Sequence, residues 1–224
     1  MDSAAQSAAP SVLDLSPVIP VVVIEDAADA VPLARALVAG GLPAIEVTLR
    51  TPAALDAVRA IAAEVPEAVV GAGTVITPEH VAAAVAAGAR FLVSPGWTDG
   101  LLEAMRASGL PFLPGVSTVS EVLALLERGV GEMKFFPAEA AGGVPYLRSI
   151  GGPLPQARFC PTGGIGLDSA PGYLGLANVG CVGGTWMLPP DALAARDWAR
   201  VESLAREAAG LRPWATRGGG ELGR

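Results

Sequence analysis

The chain has 224 residues, of which 51% are apolar and 17% are charged, and its formal net charge at pH 7 is −7. An acidic chain without a basic cluster is unsuited to binding nucleic acid or anionic membrane surfaces. Two distant cysteines and one histidine exclude a disulfide framework and a multi-histidine metal site, and we expect Cys160 and Cys181 to be buried structural residues.

Residues 1–16 are polar and alanine-rich, and we predict an N-terminal arm that is loose or forms a short helix. The arm has no cationic leader and no long apolar run, so we expect a cytoplasmic protein without a membrane span. From residue 17 to 210, short apolar runs alternate with segments of helical periodicity. The predicted strands are 18–24, 44–49, 68–71, 91–93, 111–113, 132–136, 157–160 and 179–182. The predicted helices are 26–39, 52–65, 78–88, 99–108, 118–128, 144–150, 168–176 and 192–209. Residues 211–224 form a glycine-rich tail that we expect to be partly disordered.

Eight strands alternating with helices, with no linker between them, favour a single-domain (β/α)8 TIM barrel over residues 17–210. The alternative is an open, doubly wound sheet, which usually carries a glycine-rich dinucleotide loop after its first strand. That loop is absent from the sequence. Most predicted strands are instead followed directly by Gly, Pro, Ser or Thr, and in a barrel these loops share the face where active sites lie.

Lys134 lies in the predicted sixth strand, where it alternates with the apolar side chains of Met133 and Phe135. A strand lysine is often only a solvated charge at a sheet edge. That interpretation weakens in a fold whose strands are covered on both faces, because an inward lysine is then costly to bury. Lys134 is therefore our candidate for a reactive amine, which must be unprotonated to attack a carbonyl carbon.

In the second predicted strand, Glu46 and Arg50 share one face with Thr48, whereas Val47 and Leu49 lie on the other. Glu46 and Arg50 could form a purely structural ion pair. With Lys134, three ionisable side chains would share one interior. Burying three charges is costly, so we do not expect the grouping to be accidental. Glu46 is the obvious candidate for proton transfer, although its negative charge favours the protonated form of a nearby amine.

Two glycine pairs, Gly163-Gly164 and Gly183-Gly184, follow the last two predicted strands. Glycine allows backbone N–H groups to approach an anion closely, and barrels often bind phosphate at these two strands. Thr162 and Thr185 would add hydroxyl donors. Paired glycines are common in turns, so their recurrence at neighbouring strands is the informative feature.

Six motifs in one order resemble the class I (Schiff-base) aldolases of 2-keto-3-deoxy-6-phosphogluconate (KDPG) and 4-hydroxy-2-oxoglutarate (KHG), over residues 17–209. These motifs are EVTLRT (46–51), VGAGTV (70–75), SPG (94–96), PGVST (114–118), KFFPAE (134–139) and FCPTGG (159–164).

The resemblance implies roles for particular residues. It implies that Lys134 forms the Schiff base and that Glu46 transfers protons. Arg50 and Thr74 would hold the carboxylate of pyruvate, and Thr162 would influence stereochemistry. The remaining substrate-binding residues are Pro95, Phe136, Gly163, Gly164, Gly184 and Thr185, the last four at the phosphate end of the substrate. Thr185 departs from the serine that is frequent in the family. The resemblance also implies a homotrimer.

The expected reaction is cleavage of a 2-keto acid through a lysine Schiff base, giving pyruvate and glyceraldehyde 3-phosphate from KDPG, or pyruvate and glyoxylate from KHG. It requires no metal or other cofactor. Two alternatives remain open from the residues: a phosphosugar isomerase or epimerase that uses acid–base chemistry alone, and a non-catalytic barrel that binds sugar phosphates. The sequence does not decide which phosphorylated or unphosphorylated keto acid is preferred.

Overall fold

The computed structural model describes residues 11–211, in which parallel strands alternate with helices. The strands are Val18–Val22 (β1), Ala44–Thr48 (β2), Val69–Gly73 (β3), Leu92–Val93 (β4), Phe112–Leu113 (β5), Gly115–Val116 (β6), Glu132–Phe135 (β7), Arg158–Pro161 (β8) and Val182–Gly184 (β9). The helices are Ala30–Ala39 (α1), Ala54–Glu64 (α2), Pro78–Ala86 (α3), Asp99–Ala107 (α4), Val119–Glu127 (α5), Gly143–Gly151 (α6), Ala170–Leu174 (α7), Pro190–Ala194 (α8) and Trp198–Ala209 (α9). Within this range, no helix is both long and apolar enough to cross a membrane.

The strands form two parallel sheets, one in the order β5-β4-β3-β2-β1-β9 and one in the order β6-β7-β8. Isolated parallel bridges between Phe159 and Val179 and between Thr162 and Gly183 link β8 to the β9 segment. At the other edge, only Pro114 separates β5 from β6. The protein therefore has an α/β fold in which a parallel sheet curls around an interior, as the alternating sequence pattern predicted.

Three features differ from the predicted elements. The predicted last strand, 179–182, lies instead at Val182–Gly184 (β9), so Gly183 and Gly184 end this strand and do not follow it. The predicted fifth strand is interrupted at Pro114 and continues as β6. Proline cannot donate a hydrogen bond, which explains the interruption, but its carbonyl accepts one from the Lys134 N–H at 3.0 Å. The predicted last helix is divided into α8 and α9 near Arg196, whose φ of 53° is left-handed. The Arg196 side chain forms ion pairs with Asp29 (2.7 Å) and Asp26 (3.4 Å) in the loop after β1.

Apolar side chains pack on both faces of the curled sheet. Ile45 and Val47 of β2 face the helices, in the larger core cluster. A smaller cluster fills the interior with Val12, Leu13, Ile19, Ala44, Phe91, Val93, Leu113, Cys160 and Cys181. Both cysteines are buried free thiols, as expected, and a hydrogen bond with Cys160 together with burial raises the pKa of Cys181 well above its ordinary value. The alternation of β2 thus directs Ala44, Glu46 and Thr48 inward.

The described part of the N-terminal arm packs against the amino-terminal ends of the strands. Val12 and Leu13 lie in a short 3-10 helix and are buried. Arg158 at the start of β8 binds Asp14 (2.6 Å) and Glu132 (2.9 Å), and Glu132 also accepts a hydrogen bond from Ser11 (2.7 Å). This end of the sheet is therefore covered, and the carboxyl-terminal ends of the strands are left for a site. Residues 1–10 of the predicted arm and 212–224 of the predicted tail lie outside the described range.

Candidate active site

Lys134 and Glu46 meet inside the curled sheet. The Nζ atom of Lys134 lies 3.2 Å from Oε1 of Glu46, and the two side chains are only 7% and 3% exposed. They come from β7 and β2, which are not neighbours in either sheet, so the pair spans the interior. A buried ion pair is weak support for stability because both charges lose their water. A buried pair that stability does not explain is a candidate for a chemical role.

The environment of Lys134 holds the amine in place. The ring centroid of Phe136 lies 5.4 Å from Nζ, which is within the range of a cation–π contact. Met133 and Phe135, on the opposite face, are fully buried in the larger core. Lys134 is also the only lysine among the 224 residues of the sequence. A chain that uses arginine everywhere else for positive charge retains one lysine, and that residue is buried beside a carboxylate.

Gly73, at the end of β3, makes room for Glu46. A Cβ atom at this position would lie 2.5 Å from Cγ and 2.6 Å from Cδ of Glu46, and nearer still to Oε1. Real Cβ atoms essentially never approach so closely. Gly71 makes similar room for the ring of Phe91, lower in the same interior. Gly73 was not among the predicted site residues, although a glycine in a buried strand is a signal of close approach.

Thr74 follows Gly73 and has a φ of 57°, in the left-handed region. For a β-branched residue this conformation is unusual, and such strain is of order 1–3 kcal/mol and clusters at functional sites. The geometry therefore supports a functional reading of Thr74. Arg50 differs from its predicted position, because β2 ends at Thr48 and residues 49 and 50 form a turn. Its side chain is exposed, and strand alternation does not place it beside Glu46.

Pro95 follows β4 at the same end of the sheet. Its backbone lies against Gly115 of β6 so closely that a Cβ on Gly115 would overlap the Pro95 carbonyl. The neighbouring Ser94 is fully buried, and its Oγ has no hydrogen-bond partner among the described residues. Within 11–211, no group of three or more His, Cys, Asp and Glu residues could hold a metal ion.

The two glycine pairs lie beside each other. Thr162 is buried directly after β8, where it bridges Gly183, and a Cβ on Gly183 would collide with the Thr162 side chain. Gly163 and Gly164 have φ values of 108° and 79°, which other residues rarely adopt. Gly184 ends β9 beneath the Trp186 ring, and Thr185 is exposed. The bond from the Thr162 N–H to the Phe135 carbonyl, at 2.9 Å, ties this loop to the strand of Lys134.

Two residues near this loop were not predicted as site residues. Glu139 accepts a hydrogen bond from the Tyr173 hydroxyl at 2.7 Å, and its N–H donates to the Gly163 carbonyl at 3.1 Å. Burial, followed by the hydrogen bond and charge of Glu139, raises the pKa of Tyr173, so the phenol stays a neutral donor. The positions are 34 residues apart in sequence, and no local pattern connects them.

Comparison with known proteins agrees with this geometry. Residues 10–204 match the family model described as KDPG and KHG aldolase. The KHG/KDPG aldolase of Escherichia coli K12 is 53% identical over 203 residues, which are 91% of this chain and 95% of that protein.

Two solved structures are similar over most of their length. The KDPG aldolase of Legionella pneumophila, with pyruvate captured at low pH as a covalent carbinolamine intermediate, has a TM-score of 0.86 and 49% identity, covering 88% of this chain and 96% of that one. The KDPG aldolase of Zymomonas mobilis with 3-phosphoglycerate has a TM-score of 0.86 and 48% identity, covering 91% and 95%. With a family model that spans most of its residues and relatives about half identical to it, the chain belongs to the KDPG and KHG aldolase family.

Proposed function

We propose that this protein is a class I aldolase that cleaves KDPG to pyruvate and glyceraldehyde 3-phosphate, and that also accepts KHG. The observation that carries the proposal is the contact of 3.2 Å between the buried Lys134 amine and the Glu46 carboxylate. A covalent catalyst needs a nucleophile with a proton acceptor within hydrogen-bond reach. The carbinolamine of pyruvate in the Legionella relative is the first adduct that such an amine forms.

The reaction can be written through these two residues. The unprotonated Lys134 amine attacks the C2 carbonyl of KDPG, and loss of water from the carbinolamine leaves an iminium. The electrons of the C3–C4 bond move into the iminium as Glu46, directly or through water, takes the proton of the C4 hydroxyl. Glyceraldehyde 3-phosphate leaves. The remaining enamine is protonated at C3, and hydrolysis releases pyruvate and restores the amine.

The substrate would lie along the carboxyl-terminal ends of the strands. Arg50 and Thr74 would bind the pyruvate carboxylate, with Pro95 and Phe136 against its carbon chain. Phosphate would lie at Gly163, Gly164, Gly184 and the hydroxyl of Thr185, with Thr162 between the two ends. The left-handed glycines and the exposed Thr185 support this placement, because turns that contain left-handed residues form concave nests of backbone N–H groups and an exposed hydroxyl can donate to an anion.

Borohydride reduction in the presence of pyruvate tests the proposal. We expect one stable adduct per chain, located at Lys134 by peptide mass mapping. The control is Lys134→Arg, which keeps a positive charge beside Glu46 but cannot form an imine. Because Lys134 is the only lysine, the other amine available is the α-amino terminus. Equal labelling of wild type and Lys134→Arg would contradict the mechanism and favour an isomerase, an epimerase or a sugar-phosphate-binding protein.

We also propose that the curled sheet is a closed (β/α)8 barrel within one domain, residues 17–210. The bridges from Phe159 to Val179 and from Thr162 to Gly183 support closure on one side, and the single-residue step at Pro114 supports it on the other. The proposed assembly is a homotrimer, and measuring the molar mass of the protein in solution by light scattering would test it. A cytoplasmic location fits the two free thiols, Cys160 and Cys181.

A further inference from the structure

A carboxylate lies beside the loop proposed to bind phosphate. The Cβ and Cγ atoms of Glu139 occupy the space that a side chain on Gly164 would need, 2.9 and 2.8 Å from an ideal Cβ there. The stem of Glu139 therefore covers Gly164. A negative charge at such a place opposes the binding of a phosphate group.

The carboxylate group itself is turned aside. Oε1 of Glu139 accepts the hydrogen bond from Tyr173 at 2.7 Å, and Oε2 lies near Gly143, 3.6 Å from an ideal Cβ at that glycine. Tyr173 is fully buried in α7, so the phenol is a fixed donor. Glu139 is exposed, and without this bond its side chain would be free to rotate towards the glycine loop.

We infer that the Glu139–Tyr173 pair sets the selectivity of the site for the phosphorylated end of the substrate. Tyr173 restrains a charge that would otherwise repel phosphate, and the restrained charge still limits how tightly a phosphate monoester binds. This inference rests on the proposed function, since it concerns the phosphate end of the aldolase site. Glu139 does not touch the reacting bond in this proposal, so its effect should appear in KM and not in kcat.

Two substitutions act in opposite directions on this pair. Glu139→Gln retains an oxygen that accepts the Tyr173 hydrogen bond but removes the charge. We expect the KM for KDPG to fall about threefold to tenfold, from the loss of a screened charge near the phosphate. Tyr173→Phe releases the carboxylate, and we expect the KM for KDPG to rise about twofold to fivefold by the same repulsion. Because no charge remains to be released, the double variant should behave like Glu139→Gln.

Dephosphorylated KDPG is the substrate that distinguishes an effect of charge from an effect of loop structure. Both variants should change the KM for that substrate by less than about twofold, because its distal end carries no charge. The KM difference between Glu139→Gln and wild type should also shrink as NaCl is raised from about 50 to about 500 mM. Glu127→Gln, at the exposed last residue of α5, removes the same charge as a matched control and should leave both KM values unchanged.

An unchanged KM for KDPG in Glu139→Gln, or an equal change for both substrates, would overturn the inference. If Tyr173→Phe loses its fold by circular dichroism, Glu139→Gln and its salt dependence still decide the question. The borohydride adduct at Lys134 is measured on the same preparations. If wild type forms no adduct, the proposed function is wrong. If wild type forms the adduct normally but Glu139→Gln does not change the KM for KDPG, only the inference about Glu139 is wrong.

Discussion

Gly73→Ala should displace the carboxylate of Glu46, our proposed proton acceptor, without altering any charged residue. Gly73 has no left-handed φ, so alanine can adopt its backbone conformation. The added methyl carbon would lie 2.5 Å from Cγ of Glu46, whereas ordinary contacts are 3.4–4 Å. Glu46 must therefore move back by about an ångström. The contact involves Cγ as well as the terminal oxygen, so the whole side chain must rotate away from Lys134 in a packed interior.

A misplacement of about 1 Å at reacting groups lowers the rate by roughly 10²-fold. We expect kcat for KDPG cleavage to fall by that order in Gly73→Ala, with a smaller change in KM. Glu46→Gln should also lower kcat, since it removes the proton acceptor. If the methyl group acts through Glu46, the double variant Gly73→Ala/Glu46→Gln should lose little more than Glu46→Gln alone. Steady-state kinetics of the four proteins measures this coupling.

Gly100→Ala is the matched control, because a Cβ at this position in α4 meets nothing within 4 Å. It should retain wild-type kcat, and circular dichroism should show that all variants are folded. A wild-type kcat in Gly73→Ala, or losses that multiply fully in the double variant, would refute the argument that Gly73 positions the carboxylate.

The other predictions concern the ion pair and the two ends of the sheet. Lys134→Ala should abolish cleavage and lower the free energy of unfolding by about 3–5 kcal/mol, because it leaves Glu46 buried and unpaired; adding Glu46→Gln should restore part of that loss in urea titrations. Arg50→Ala should raise the KM about tenfold to a hundredfold with a smaller effect on kcat, and equal effects on both would contradict carboxylate binding. Leu13→Ala should lower the free energy of unfolding by about 2–5 kcal/mol while sparing kcat, and an unchanged urea midpoint would show that the arm does not stabilise the fold. Gly164→Val should impair cleavage of both KDPG and KHG, because its φ of 79° disfavours valine and the added atoms collide with the neighbouring carboxylate side chain; a loss confined to KDPG would show that the loop tolerates the change.

The local pattern of the strands was readable from the sequence. Side chains alternate along any extended segment, so Glu46 and Lys134 could be assigned to the face opposite their apolar neighbours before the fold was known. Their burial followed, since strands in alternating β and α units are covered on both sides. The same rule failed for Arg50, because alternation ends where the strand ends, at Thr48. The prediction of one continuous last helix was wrong near Arg196. This residue has a left-handed φ, and its side chain binds two aspartates of a distant loop.

The sequence by itself determined which residues could do the chemistry: one lysine, a carboxylate on an inward strand face, and glycines where strands end. Only the tertiary structure decided which of them meet. The distance between Lys134 and Glu46 depends on the curvature of the sheet across strands that do not pair, and the space for Glu46 depends on Gly73 of the adjoining strand. The bond between Glu139 and Tyr173 joins the loop after β7 to helix α7. Such contacts arise from packing between segments far apart in sequence, and local periodicity carries no information about them.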